Sequence, residues 1–197
     1  MKQANIFTRL TVWLSRMPHS RGFGVQSPSA YRFIRYVVSE HYPYYAYAEM
    51  EHKHPRTTWC ERKMGRLYFR LANFCQAPFL VNFGAQNDVL AEYVQRGCRR
   101  TQMLQAADAA PAKAQEAWCL VRICPEEGCS RFLTEAMKHA DEHTIIVVED
   151  IHSCRTARQL WRTLRESRAV SVTFDLYYCG IAFFDTSRFK QNYIVNF

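Results

Sequence analysis

Apolar side chains recur at helical spacing in three segments before residue 76. They are Ile6, Leu10, Trp13, Leu14 and Met17; Tyr31, Ile34 and Val38; and Met64, Leu67, Tyr68, Leu71 and Phe74. Each set occupies one face of a helix, so three helices with buried apolar stripes are predicted. Ser27 before Pro28 is typical of a helix N-cap and first helical position. The tyrosine-rich stretch after Pro43, as far as about Trp59, is predicted to be irregular.

After residue 77 the pattern changes to short apolar runs that alternate with helical patterns. The runs are residues 79–83, 101–105, 118–124, 144–149 and 170–177. The helices lie near residues 88–96, 108–117, 130–140 and 153–167, and three of them begin with Asp or Ser as an N-cap. Alternating strands and helices predict an α/β protein with a doubly wound, mostly parallel sheet. A further run at 181–185 follows too closely for a crossover helix, which predicts an antiparallel hairpin at the carboxyl end.

This change of pattern predicts two parts, an N-terminal helical cap lobe over residues 1–76 and an α/β domain over residues 77–197. Residues 106–117 leave room for a single crossover and for no further strand and helix, so the run 101–105 is predicted at a sheet edge. Arg99 and Arg100 flank that edge. An exposed edge can pair with another chain, which leaves a homo-oligomer open.

Composition excludes several classes of protein. A chain of 197 residues with 48% hydrophobic and 22% charged residues is typical of a globular protein, not a disordered or collagen-like one. The apolar runs are too short for a membrane span and no signal peptide is recognisable, so a cytoplasmic protein without a membrane partner is expected. The eight cysteines contain no C-x-x-C pair. Reduced thiols and no metal site are therefore predicted.

The positive charge is concentrated near the amino end. Residues 1–70 hold 12 Lys and Arg against 4 Asp and Glu, so the net charge of +8 lies entirely in this segment. Tyrosines are interleaved with these cations, a pattern that proteins use to grip phosphates and stack on bases. A solvated helical surface has the same composition. Nucleic-acid binding therefore stays open as an alternative.

Four groups of residues carry a family resemblance. They are Gly24–Tyr31 (GVQSPSAY), Gly65–Arg70 (GRLYFR), Val147–Ser153 (VVEDIHS) with Trp161, and Val172–Leu176 (VTFDL) with Gly180, Ile181, Phe183 and Phe184. Together they resemble the class I S-adenosylmethionine-dependent methyltransferases, in particular a methyltransferase-like family of Bacteroides-type bacteria. The resemblance implies a Rossmann-like fold, S-adenosylmethionine as cofactor and a small-molecule methyl acceptor.

The resemblance also implies where the cofactor would lie. Its expected contacts are Asn82, Gly84 and Gln86, in the turn after the first strand, and Gln105 at the end of the second strand. The family pattern has more glycines in this turn and a carboxylate in place of Gln105. These departures predict a shortened, degenerate member with weak or absent cofactor binding. Asp108 is read as a helix N-cap, with a substitute ribose-binding carboxylate as the alternative.

Two classes of function follow, a methyltransferase and a non-catalytic binding or regulatory protein on the same scaffold. Glu149, Asp150 and His152 follow the fourth run, where strand ends aim side chains into the ligand crevice. They are candidate contacts for a substrate hydroxyl or a divalent ion. The favoured reading is structural, with Asp150 and Ser153 capping the next helix and His152 on the surface.

Overall fold

The computed structural model describes residues 6–107 and 119–197. The helix predicted over residues 108–117, Asp108 and Trp118 lie outside the described residues. The chain forms two compact units. One consists of the chain up to Ala77, Asn87–Gln102 and Asn196–Phe197, and the other of Pro78–Gln86 and Met103–Val195. The division at residue 76 stays a prediction.

The first unit is helical. Its elements are α1 (Ile6–Ser15), a 3-10 helix (Met17–Gly22), α2 (Pro28–Phe33) continued by a π-helix (Ile34–Val38), α3 (Tyr45–Lys53), α4 (Trp59–Cys75) and α5 (Asp88–Gly97). The three helices predicted before residue 76 are confirmed. The irregular stretch is wrong in part because α3 lies within it, buried only through Tyr47 and Met50. Two buried positions among tyrosines and charges give too weak a periodicity to predict a helix.

Helix ends in this unit follow from local side-chain hydrogen bonds. The N–H of Ala30 donates to Ser27 Oγ at 3.4 Å, which confirms the predicted cap. Helix α4 begins with a capping box, in which Glu61 N–H donates to Thr58 Oγ1 at 3.2 Å and Thr58 N–H donates to Glu61 Oε2 at 2.7 Å. Helix α5 is capped by the Asn87 side chain. An Asp or Ser N-cap is therefore wrong for this helix. It is also wrong for the two described helices of the second unit, which begin after Gly128 and Cys154.

Helices α4 and α5 pack unusually closely. A Cβ atom at Gly97 would lie 2.1 Å from the carbonyl oxygen of Phe69, and one at Gly65 would lie 2.3 Å from the Tyr93 ring. Real Cβ contacts are much longer, so only glycine fits at either position. Tyr93, Phe69, Tyr47 and Met50 form the buried aromatic cluster of this unit.

The predicted burial of the three apolar stripes holds only in part. Ile34, Val38, Leu67 and Leu71 are buried, whereas Trp13, Leu14, Met17 and Phe74 are about half exposed. The prediction is wrong for α1, which has no buried residue. Its periodicity reports an amphipathic helix, and periodicity alone does not determine which side packs against the protein.

The second unit contains a seven-stranded sheet of order β2-β1-β3-β4-β6-β5-β7. The strands are β1 (Phe79–Phe83), β2 (Gln102–Gln105), β3 (Leu120–Ile123), β4 (Ile145–Glu149), β5 (Val172–Asp175), β6 (Cys179–Phe183) and β7 (Gln191–Ile194). Strands β1, β3 and β4 are parallel, and β6 runs antiparallel between β4 and β5. The doubly wound, mostly parallel α/β sheet with an antiparallel hairpin is confirmed.

One edge strand of the sheet was predicted from the sequence and the other was not. Within the described residues, β2 ends the sheet on one side, as predicted. On the other side β7 adds a strand parallel to β5 that the sequence did not predict. Its four residues QNYI are short, polar and only partly buried, so they lack the apolar run by which the other strands are recognised.

Two helices cover one face of the sheet. They are α6 (Cys129–Lys138) and α7 (Arg155–Glu166), whose apolar sides join Val81, Val121 and Val148 in the main core. Gly128 precedes α6, and the Cys154 side chain caps α7. Because side chains alternate along a strand, Asn82 and Arg122 project from the opposite face. No helix among the described residues is both long and apolar enough to cross a bilayer.

Candidate functional site

The chain reverses its direction of travel through the sheet at β1. It passes from β1 to β2 on one side and then to β3 on the other, so the switch point lies between β1 and β3. In open α/β sheets the ligand crevice lies outside the carboxyl ends of the strands at this point. Asn82 of β1 and Arg122 of β3 are register partners there. Gln105 and Glu149 are the last residues of β2 and β4.

An ion pair is buried at these strand ends. Arg122 Nε and Nη2 donate to the two carboxylate oxygens of Glu149 at 2.8 and 2.9 Å. The side chains of Arg122 and Glu149 are 8% and 7% exposed. Arg122 Nη1 donates to Asn82 Oδ1 at 2.6 Å. A bidentate guanidinium–carboxylate pair with a further acceptor satisfies the arginine on two sides, as burial of a charge requires.

Asn82 extends this network to β2. Its Nδ2 donates to Gln105 Oε1 at 2.9 Å and to the carbonyl oxygen of Gly84 at 3.2 Å. Both ends of the Asn82 amide are therefore bonded inside the protein, and the Gln105 oxygen accepts from Asn82. We call Asn82, Gln105, Arg122 and Glu149 the strand-end network.

The turn after β1 is closed by neighbouring residues. Gly84 has φ of +139°, and a Cβ atom there would lie 2.7 Å from the Cβ atom of Cys124. The Ala85 N–H donates to Glu126 Oε1 at 3.3 Å. Gln86 is exposed. The close approach to Cys124 and the positive φ together account for glycine at position 84.

Cys124 contributes a neutral thiol to this region. Its Sγ lies 3.7 Å from Glu149 Oε2 and donates to it. Burial, followed by the nearby Glu149 carboxylate, raises the pKa of the Cys124 thiol to about 12. Cys154 is exposed, and the Ala157 N–H donates to its Sγ at 3.4 Å. This hydrogen bond at the start of α7 lowers the pKa of Cys154.

The two thiols are therefore expected to react very differently with iodoacetamide. At pH 8 a thiol of pKa about 12 is ionised to about one part in ten thousand, and the thiolate is the nucleophile. Timed alkylation of the folded chain, read by peptide mass spectrometry, should modify Cys154 well before Cys124. The control is the same labelling in concentrated urea, where the two rates should converge. Equal rates in the folded chain would contradict the environment described for Cys124.

The candidate residues Glu149, Asp150 and His152 do not form one cluster. Glu149 is bound to Arg122, whereas His152 Nε2 lies 3.2 Å from Asp175 Oδ2. Asp150 has φ of +52°, and burial raises the pKa of its carboxyl group. The N-cap of α7 is Cys154, so the predicted capping by Asp150 and Ser153 is wrong. Among the described residues, no three His, Cys, Asp or Glu side chains are grouped closely enough to hold a metal ion.

Arg122 was missed as a site residue by the sequence reasoning. The available signal was a cation, an arginine within the otherwise apolar run Leu120–Ile123. A charged side chain inside a buried strand needs a partner of opposite sign, and Glu149 at the end of β4 supplies it.

No protein-family model and no curated protein matches this sequence. Solved structures do match its fold. Cofactor-bound Rv0187 from MTB is 14% identical, with a TM-score of 0.51 over 93% of this chain and 99% of that one. The SAH-bound methyltransferase PaMTH1 of Podospora anserina is 11% identical, with a TM-score of 0.54 over 85% of this chain and 98% of that one. This chain has a class I methyltransferase-like fold.

The strand-end network lies at the carboxyl ends of β1, β2, β3 and β4, and in open α/β sheets the ligand crevice lies just outside these ends. Three of the four residues expected to contact the cofactor lie together, because Asn82 donates hydrogen bonds to Gln105 and Gly84. The Bacteroides-type origin stays an expectation.

Proposed function

We propose that this methyltransferase-like protein binds S-adenosylmethionine weakly or not at all and acts as a non-catalytic binding or regulatory protein. The observation that carries the proposal is the strand-end network. Four side chains at the ligand end of the sheet bind one another through the buried Arg122–Glu149 pair. Neighbours of the same fold carry a cofactor or SAH, so the scaffold itself is suited to the nucleoside.

The residues present fit this cofactor poorly. An acceptor for both ribose hydroxyls is best supplied by a carboxylate, and β2 ends in Gln105, an uncharged amide. Loss of a charge-assisted pair weakens binding by about 1.5–3 kcal/mol, or about one to two decades in Kd. The Gln105 oxygen also accepts from Asn82, so a ligand hydroxyl would compete with an existing hydrogen bond.

The turn after β1 supports the same proposal. The backbone N–H of Ala85 in this turn already donates to Glu126, so it is not available to a ligand without loss of that hydrogen bond. Glu149 is a carboxylate at a strand end, but it is held by Arg122 and nearly excluded from solvent. Detaching it for a ligand would leave a buried guanidinium unpaired, which costs several kcal/mol. We therefore assign these groups to stability and no step of methyl transfer to them.

Thermal unfolding in the presence of S-adenosylmethionine tests this function. A ligand at about 100 times its Kd stabilises a protein by about 2.7 kcal/mol, or about 5–10 °C for a chain of this size. At about 10 µM S-adenosylmethionine, a Kd weaker than about 10 µM stabilises the chain by less than about 0.4 kcal/mol, so we expect a shift of at most about 1–2 °C for the wild type. A shift of several degrees would contradict the proposal.

Gln105→Glu is the matched variant for that experiment. It keeps the side-chain length, retains an acceptor for Asn82 and adds the missing charge. We expect affinity about ten- to a hundredfold higher than that of the wild type, with little change in unfolding without ligand. A variant that binds no better than the wild type would show that Gln105 is not at the ribose position.

A further inference from the structure

Helix α1 presents a large apolar face to solvent. The six exposed side chains on that face are Ile6 (68%), Phe7 (73%), Leu10 (55%), Trp13 (50%), Leu14 (49%) and Met17 (52%). At 100° per residue they occupy one continuous side of the helix and its C-terminal extension. Scattered exposed apolar residues are ordinary, but a contiguous patch of this kind marks an interaction surface.

The helix contacts the rest of its unit through the other side. Arg9, Val12 and Arg16 lie on that side and are partly buried. The Arg9 guanidinium lies over the Trp59 ring, 3.5 Å from its centroid. Asn196 Nδ2 donates to the carbonyl oxygen of Trp13 at 3.4 Å. Cation–π and polar contacts therefore hold α1 in an orientation that leaves its apolar face outward.

The segment that carries this face has charge of one sign. Residues 6–39 contain five arginines and neither Asp nor Glu. Arg21, Arg32 and Arg35 are exposed, as is the aromatic ring of Phe23. A partner for this segment must therefore accept apolar side chains and supply negative charge.

Charge and shape distinguish among the partners of this surface. A second copy of the chain would bring the exposed Arg21, Arg32 and Arg35 of this segment against the same three cations, and the segment has no carboxylate to pair with them. Nucleic acid supplies negative charge, but Ile6, Leu10 and Leu14 have no ring to stack on bases. An anionic lipid bilayer supplies both requirements, phosphates at its surface and acyl chains just beneath them.

We propose that α1 is an interfacial membrane anchor that lies in the surface of an anionic phospholipid bilayer. Its apolar face enters the boundary between headgroups and acyl chains, and the exposed Arg21, Arg32 and Arg35 bind lipid phosphates. Trp13 and Phe7 are aromatic side chains of the type that favours this boundary. The helix lies along the surface and does not span it. This attachment reverses the expectation of no membrane partner, which depended on the lack of a spanning segment, and it is independent of whether the protein binds S-adenosylmethionine.

Vesicle co-sedimentation of the full chain tests the anchor. We expect binding to phosphatidylcholine vesicles that contain phosphatidylglycerol, little binding to phosphatidylcholine alone, and weaker binding as salt is raised. The double variant Leu10→Gln/Leu14→Gln should lower the partition coefficient by about a hundredfold, since each exposed leucine would otherwise be buried in the bilayer. Gln preserves helix propensity and charge, so the helix itself should persist.

Phe189→Gln is the matched control, because Phe189 is 91% exposed in the other unit. It should bind vesicles as the wild type does. Failure of the wild type to bind anionic vesicles at low salt, or equal loss in both variants, overturns the proposal. Sedimentation velocity and an RNA-binding assay on the same proteins cover the other partners. A dimer or an RNA complex abolished by Leu10→Gln/Leu14→Gln, without vesicle binding, would assign the face to that partner instead.

Discussion

Replacement of Arg122 by alanine is expected to destabilise the protein by about 3–5 kcal/mol. The change removes both hydrogen bonds to Glu149 and the one to Asn82, and it leaves a carboxylate buried without its partner. Removal of one partner of a buried ion pair costs about this much because the remaining charge is desolvated and has no charge of opposite sign to compensate it. Urea unfolding followed by circular dichroism measures the loss, which is a large fraction of the stability of an ordinary domain.

The double variant Arg122→Met/Glu149→Leu is the control for this interpretation. Apolar residues of similar volume in place of a buried ion pair are often neutral or stabilising, so the double variant should recover most of the lost stability. Such recovery would show that Arg122→Ala acts through an unpaired charge. If the double variant is as unstable as Arg122→Ala, the cost comes from packing around β3 and the account of the ion pair is wrong.

Replacement of Gly97 by alanine is expected to destabilise the helical unit by about 3 kcal/mol or more. The new Cβ atom would lie 2.1 Å from the carbonyl oxygen of Phe69, so α4 and α5 would have to move apart. Overpacking a tight contact costs about 1–3 kcal/mol, and more when the obstacle is backbone that cannot change rotamer. Thermal unfolding and urea midpoints of the full-length variant measure the effect.

Gly24→Ala is the matched control for the same substitution. At Gly24 nothing lies within 4 Å of the added Cβ atom, and the backbone has φ of +79°. Alanine therefore contacts no other atom there, and the expected loss of stability is only that of the left-handed backbone conformation, about 1–2 kcal/mol. A smaller loss at Gly97 than at Gly24 would contradict the described contact between α4 and α5.

The predictability of the fold followed the strength of each periodic signal. The core strands were recognisable because runs such as residues 145–148 are continuously apolar, and the hairpin because the spacing between β5 and β6 excludes a crossover. Helix α3 and strand β7 were missed because few of their residues are buried. For α1 the helix was predicted correctly and its outward-facing side was not, since the orientation depends on contacts with Trp59 and Asn196.

The candidate site was less predictable than the fold. The resemblance supplied Asn82, Gly84 and Gln105, which the structure brings together, and local sequence supplied Glu149. Their connection depends on Arg122, whose partners lie 27 and 40 residues away in the chain. Side chains so far apart in the chain come into contact because β1, β3 and β4 are neighbours in the sheet. The order of strands in a sheet cannot be derived from the spacing of residues in the sequence. His152 was placed with Glu149 and Asp150, although its partner Asp175 comes from the β5–β6 hairpin.

Calorimetric titration of the wild-type chain with S-adenosylmethionine tests the proposed function most directly. The proposal rests on strand-end groups that bind one another, so the titration should give no saturable heat, or a Kd weaker than about 10 µM. The urea midpoint of the same preparation establishes that the protein titrated is folded. A Kd below about 10 µM, which corresponds to binding stronger than about −7 kcal/mol, would contradict the proposal and favour a working methyltransferase.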